Sequence, residues 1–351
     1  MPKTLTERPG AWPAFRAAGI TGSPAFRGAR RLWRLAVAAA VVCGLLLWWL
    51  LPFGDESSPS GSVTITTGVR TGVYARYGEL LKKRLRKDLP RVTVQLKPSA
   101  GSVQNIRRLI DGEASFTIAT ADAVATYRAE GGADAHRLRA CARLYDDYLQ
   151  LVVPAGSTVR SATDLAGKRV AIGQPGSGVR LIAERLLTAA GLDPMRDLTP
   201  VPVGISTMTT MLRKGEIDAF FWSGGLPTAA VSGLAKHFPV RLVQLGDLVD
   251  RVHELGGAKN YYRAAVMPAD AYPTAQKGKA VKTIAVANLL VTTDETDRDL
   301  TEGVTRTVIG SRDEIGGKVH AAQLVDLRTA IYTDPLLLHE GAIRYYQSVK
   351  P

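Results

Sequence analysis

The sequence predicts an α/β protein of two lobes joined by a hinge, preceded by one N-terminal transmembrane helix. Three observations predict it. Short apolar strands alternate with amphipathic helices from Val63 onward, the pattern of a sheet with crossover helices. The series pauses at Pro154-Ala155-Gly156 and starts afresh, with extended segments before and after the second series to cross between the halves. Ahead of both, Leu35 to Leu51 carries no charged residue and is rich in Leu, Val, Ala and Trp.

Composition is that of a globular chain. Apolar residues make up 46% and charged residues 22% of 351, which excludes wholesale disorder and favours about two domains. The formal charge is +13. Much of it sits in residues 1–34, where Lys3, Arg8, Arg16, Arg27, Arg30, Arg31 and Arg34 face Glu7 alone, so 1–34 reads as a basic cytoplasmic tail. The rest is mildly basic and shows no basic stripe with interleaved aromatics, so nucleic acid is not an expected partner. Arg30, Arg31 and Arg34 flank the apolar stretch on one side and Asp55 and Glu56 on the other, which places everything after Pro52 outside the cell. A cleaved signal peptide is the rival reading of 35–53. No small-x-small cleavage pattern follows Trp48-Trp49-Leu50-Leu51-Pro52-Phe53, so a retained membrane anchor is expected. Ala40-Val41-Val42-Cys43 has Val where a lipoprotein pattern needs a small residue. Cys141 is then alone outside, with no intrachain disulfide, and is expected to be a buried, inert thiol.

The elements follow in order. Residues 54–62 (GDESSPSGS) read as a polar linker. Strands are expected at VTITTG (63–68), RVTVQL (91–96) and SFTIAT (115–120), with helices over 74–87, 103–110 and 123–129; Gly112 and Gly131 stop the last two. The basic run Lys82, Lys83, Arg84, Arg86, Lys87 on the first helix is a solvated face. YLQLVV (148–153) leads into the second series: KRVAIG, a helix over 181–190, TPVPVG, a helix over 207–213, IDAFFW and VRLVQL. AVANLLV (285–291) returns, and the remainder is expected to be mostly helical. Lobe I is thus 63–152 with 290–351, and lobe II is 153–289. A ligand would lie in the cleft between them, at the carboxyl ends of the strands.

Three turns carry the site expectation. Each joins an apolar strand to a helix through Gly and Ser, and so offers free backbone N–H groups and a positive helix end to a small anion. In the first, Thr67 and Gly68 precede Tyr74, which offers a ring wall and a phenol or is a core tyrosine. In the second, Ser102 has the place of an N-cap, which alone accounts for it, and Asn105 puts an amide one turn along, able to hold a carboxylate. In the third, Gly173-x-x-Gly176-Ser177-Gly178 brings a hydroxyl to a helix start, and Arg180 follows within one turn. Trp222, ahead of Gly224-Gly225, would cover a ligand, while Phe220 and Phe221 belong in the core. Asp122 is read as a cap of the helix that follows it.

Catalytic constellations are absent from the sequence. His136, His237, His253, His320 and His339 have no metal-ligand spacing; there is no H-E-x-x-H and no Walker lysine loop, and Pro175 stands where a G-x-S-x-G elbow needs its first glycine. Neither an enzyme, a metal nor a cofactor is expected.

Over nearly all of 63–346 the chain resembles the TAXI-type extracytoplasmic solute receptors of TRAP transporters. The motifs that carry the resemblance are T-G-x-x-x-G-x-Y at Thr67 to Tyr74, G-S-x-x-N at Gly101 to Asn105 and D-L-x-G-K-R-V at Asp164 to Val170. G-x-P-G-S-G at Gly173 to Gly178, G-E-I-D-A-F-F-W-x-G-G-x-P at Gly215 to Pro227 and the ending Leu338 to Tyr346 complete the set. The resemblance implies a type II periplasmic-binding-protein fold that closes on a small carboxylate, glutamate or a related dicarboxylate, and hands it to an ion-driven membrane permease. Thr120-Ala121-Asp122 stands where that family often has Gln-x-Asp, and Val69 where it has a second Gly; either departure can change the ligand. The expected protein is a monomeric, membrane-tethered, extracytoplasmic receptor. The alternative is a membrane-tethered ligand sensor or interaction module with the same fold and no permease.

Overall fold

The computed structural model describes residues 33–34, 36–45, 59–256 and 261–349. The chain divides into two units, 1–56 and 57–351. In the first, residues 33–34 and 36–45 are helical and exposed. No helix among the described residues is long and apolar enough to cross a membrane. The tail through residue 32, residue 35, the expected anchor beyond residue 45 and the linker up to residue 58 lie outside the described residues.

The second unit is built on one ten-stranded sheet. Strands β1 (Gly61–Thr66), β2 (Val92–Lys97) and β3 (Phe116–Thr120) are parallel and alternate with helices α1 (Val73–Asp88), α2 (Ser102–Ile110) and α3 (Ala121–Ala129). The strand therefore starts at Gly61, and the last two residues of the expected linker belong to the sheet. A second parallel set, β5 (Arg169–Ala171), β6 (Thr199–Val201) and β7 (Ala219–Gly224), is interleaved with α4 (Gly178–Ala189) and α5 (Ile205–Lys214). Then come α6 (Ala229–His237), β8 (Val240–Val243), α7 (Val249–Glu254) and β9 (Tyr262–Met267).

Two long strands join the sets. β4 (Leu138–Pro154) and β10 (Val281–Thr293) run antiparallel to each other, from the Ala285↔Tyr148 pair to Thr293↔Leu138. Each serves both halves: β10 also pairs β3 and β9, while β4 also pairs β7 and β8. The hydrophobic cores divide along them. Val63, Phe116, Tyr145 and Leu290 pack in the first lobe, and Leu149, Leu151, Ile284 and Val286 in the second. The cores therefore change over between 145 and 149 on one strand and between 286 and 289 on the other. Helices α8 (Arg298–Gly310) and α9 (Glu340–Val349) close the first lobe, where Tyr345 and Tyr346 join its core.

β4 is 17 residues long, and only its YLQLVV part is legible in the sequence because Arg139, Arg143, Asp146 and Asp147 interrupt the apolar pattern before it. Three of those charges are accommodated by pairing, Arg139 with Asp294 at 3.1 Å and Arg143 with Asp146 at 2.7 Å, and Asp147 has no such partner among the described residues. The stretch 325–339, expected to be mostly helical, is turns and a single bridge to Ala140.

Cys141 lies in the first core with no exposed surface, and burial pushes its thiol up to about 12. In a Cys43→Ser variant at pH 8, no thiol should react with an aromatic disulfide reagent until the chain is unfolded; labelling of the native protein would show that this core opens readily.

Candidate functional site

The two lobes enclose a cavity of about 590 Å³, its open mouth included. Its floor is the sheet. Thr120 on β3 stands opposite Asn288 on β10. At Asn288 the register with β4 shifts, since Ala287 pairs Asp146 but Leu289 pairs Arg143, and this bulge re-aims the side chains around it. On the far side of β4, Ser223 of β7 pairs Leu149. Thr120, Asp147 and Ser223 all line the cavity, with Asn288 in the row between the first two.

Its walls are helix ends. The N-cap residues of α1, α2, α3, α4 and α5 are Gly72, Gly101, Thr120, Ser177 and Gly204, and every one of them lines the cavity. All but Ser177 leave the first turn without a side-chain cap. Backbone N–H groups and the positive ends of these helix dipoles therefore face one small space, which suits an anionic group.

A hydrogen-bonded chain links floor and wall. The Tyr74 hydroxyl donates to Asn288 Oδ1 and lies 3.3 Å from Ser102 Oγ, and Asn288 Nδ2 donates to Asp147 Oδ1 at 2.8 Å. With the Tyr74 proton committed to Asn288, the Ser102 hydroxyl donates to Tyr74, and Ser102 Oγ accepts from the Thr120 N–H at 3.2 Å. Burial holds the Tyr74 phenol well above its usual range, with Asp147 adding to the effect. Burial pushes the Asp147 carboxyl up to about 7; its Asn288 bond opposes this, and Asp146 and Asp122 add to it.

Among the residues read from sequence as ligand contacts, Gly68, Tyr74, Ser102, Ser177, Gly178 and Trp222 come together on the cavity. Thr67, Asn105 and Arg180 do not line it. Asn105 is fully buried, and its amide donates to the carbonyls of Thr67 (2.5 Å) and Ile118 (3.0 Å) while accepting from Thr66 Oγ1 (2.8 Å). It ties the first turn to the sheet. Arg180 points along its own helix to Glu184 at 2.8 Å. Ser177 is a true N-cap: its hydroxyl accepts from Arg180 N–H and donates to the Gln174 carbonyl, so it has no proton left for a ligand. Ser102 is the first residue of α2 rather than its cap, which is Gly101. Trp222 donates from Nε1 to Thr228 at 3.0 Å.

Asp122 is not the cap of α3, which is Thr120. Its Oδ2 accepts from the Tyr262 hydroxyl at 2.7 Å, and Arg185 lies 3.7 Å away while donating to Tyr262 and to Thr126. The two lobes are thus bound across the cleft by one polar cluster. They also touch at Gly101, whose φ of +138° favours glycine and where a Cβ would sit 3.3 Å from Ser177 Cα.

Sequence reasoning marked Thr120 only as a departure from the resembled motif, and did not single out Asp147, Asn288 and Ser223. A signal was present for two of them: a carboxylate in Tyr145-Asp146-Asp147-Tyr148 and an amide in AVANLLV interrupt apolar strands, and a polar residue in a central strand is a candidate for a purpose other than packing.

The model of the NMT1-like family matches residues 65–349. The chain belongs to the NMT1-like family. This NMT1-like chain is also similar to solved structures. The alkanesulfonate-binding protein SsuA from Xanthomonas axonopodis pv. citri, bound to MOPS, is 19% identical over 84% of this chain and 85% of its own, with a TM-score of 0.46. The periplasmic aliphatic sulphonate binding protein SsuA from Escherichia coli is 15% identical over 84% of both chains, TM-score 0.43. An ancestral arginine-binding protein bound to arginine is 16% identical over 74% of this chain and 98% of its own, TM-score 0.47.

Proposed function

We propose that this NMT1-like chain is an extracytoplasmic solute receptor that captures a small organic anion between its lobes and delivers it to a membrane permease. The observation that carries this reading is the convergence of five helix N-termini on one cavity between two lobes hinged by β4 and β10. Glycines at the rim let backbone approach the ligand closely. No group of three or more His, Cys, Asp or Glu side chains able to hold a metal occurs among the described residues. On this reading, binding, closure and release are the chemistry of the site. The resemblance to TAXI-type receptors supports a TRAP-type permease as the recipient, and the apolar stretch 35–53 would tether the receptor beside it and raise its effective concentration there.

The test is a thermal-melt panel on the full-length chain with glutamate, 2-oxoglutarate, other dicarboxylates, sulfonates and neutral sugars. A ligand at 100 times its Kd adds about 2.7 kcal/mol of stability, so a cognate anion should give a clear rise in Tm. A shift with sugars alone, or none with any anion, would remove this reading.

Closure itself is testable at Gly101. In Gly101→Ala the new methyl meets Ser177 and the backbone is strained, so the lobes are propped apart. Ligand affinity should fall at least tenfold in a calorimetric titration, and unchanged affinity would mean that the lobes do not meet there in the bound state.

A further inference from the structure

We propose that Asp147 selects a ligand carrying a protonated amine, so that the molecule held in the cavity is a small zwitterion with its anionic head at the helix N-termini and its ammonium against Asp147. This inference rests on the receptor reading and narrows its ligand class.

Asp147 is the sole carboxylate on the cavity lining, and no Lys, Arg or His side chain shares that lining among the described residues. It is 3% exposed, and the two side chains whose hydrogen bonding favours its charged form, Asn288 and more weakly Ser223, are neutral. Nearby cations are engaged elsewhere. Arg143 and Arg263 both bond Asp146, whose side chain alternates to the other face of β4, and Arg185 is held in the cluster with Asp122, Thr126 and Tyr262. Burial without a cation is what drives the Asp147 carboxyl toward its protonated form, and a cation beside it would restore the charged one. A second anion beside it would favour the protonated form further, whereas an ammonium would complete an ion pair with the charged one.

Two buried hydroxyls fit the two ends of such a molecule. Ser223 Oγ, on the strand beside Asp147, makes no well-formed hydrogen bond among the described residues beyond its weak approach to that carboxyl, and its lone pairs are placed to accept a second ammonium proton. Thr120 Oγ1 also lacks a partner and lies at the opposite end of the row, beside the start of α4, where a Cβ on Gly178 would stand 3.5 Å from it. There it can donate to an anionic head already facing the N–H groups of α2 and α4. Both residues are more than nine-tenths buried, so a ligand supplies what water does not.

The experiment is calorimetric titration of the full-length chain with matched pairs that differ in the amine: glutamate and 2-oxoglutarate, aspartate and malate, taurine and isethionate. In any pair that binds, the amine member should be at least tenfold tighter. Asp147→Asn keeps an oxygen for Asn288 while removing the charge, and should bring the two members of the pair to within about twofold. A change in that ratio is one that a purely structural role would not produce. Equal or tighter binding of the amine-free member to the native chain, or an unaltered ratio in Asp147→Asn, would overturn the inference and leave the receptor reading standing. Should the variant fail to fold, the ratio in the native chain decides alone. Failure of every pair to bind would overturn both readings together.

Discussion

Replacing Asn105 with alanine should lower the unfolding free energy by about 3 to 5 kcal/mol. The side chain has no exposed surface and makes three hydrogen bonds, to Thr67 O, Ile118 O and Thr66 Oγ1, all within a closed part of the first lobe. Removing it leaves those polar atoms in a site that excludes water, and each unsatisfied group costs about 1 to 3 kcal/mol. A lost cavity-lining contact would have a different signature, namely weaker binding with stability unchanged. Urea denaturation of the full-length variant separates the two. A loss below about 1 kcal/mol would mean that the tether from α2 to the first turn is not what holds that turn in place.

Gly341→Ala is expected to cost a similar amount, about 3 kcal/mol, at the other end of the chain. A Cβ there would lie 2.2 Å from the Arg298 carbonyl oxygen and 2.8 Å from Glu302 N, so α8 and α9 are in backbone contact. In an open helix the same change would gain up to about 1 kcal/mol in helix propensity. Here the obstacle is backbone, which cannot rotate aside, and overlap decides the sign. Gly310, near the end of α8, has nothing within 4 Å of its would-be Cβ, so Gly310→Ala should be neutral or slightly stabilising and serves as the control. Equal urea midpoints for the two variants would refute the close approach of α8 and α9.

Both variants bear on what could be read in advance. The motif Gly101-Ser102-Val103-Gln104-Asn105 marks a strand-to-helix turn correctly, since α2 begins at Ser102. It is silent about which way the Asn105 amide faces. An amide beside a glycine turn is chemically suited to a ligand carboxylate and equally to a main-chain carbonyl; the choice depends on β3 and the turn that follows β1 lying alongside, and they supply the carbonyls. The same holds for Ser177 and Arg180, where the cap and the Glu184 bond are local but their consequence, that neither group is free, shows only once the partners are placed.

The sequence by itself determined the alternation of strands and helices, the two series, the positions of the glycine turns and, to within one to three residues, the start of the helices that face the cleft. These are local properties: apolar periodicity and turn chemistry act over a few residues and are legible over the same distance. Tertiary structure alone decided which polar groups the cavity keeps. Tyr74 reaches Asn288, 214 positions away, and Asn288 reaches Asp147 across 141, through a bulge between β4 and β10. The charge of a cavity is set by which side chains remain unpaired after the lobes meet, and pairing between distant segments leaves no period in the sequence to reveal it.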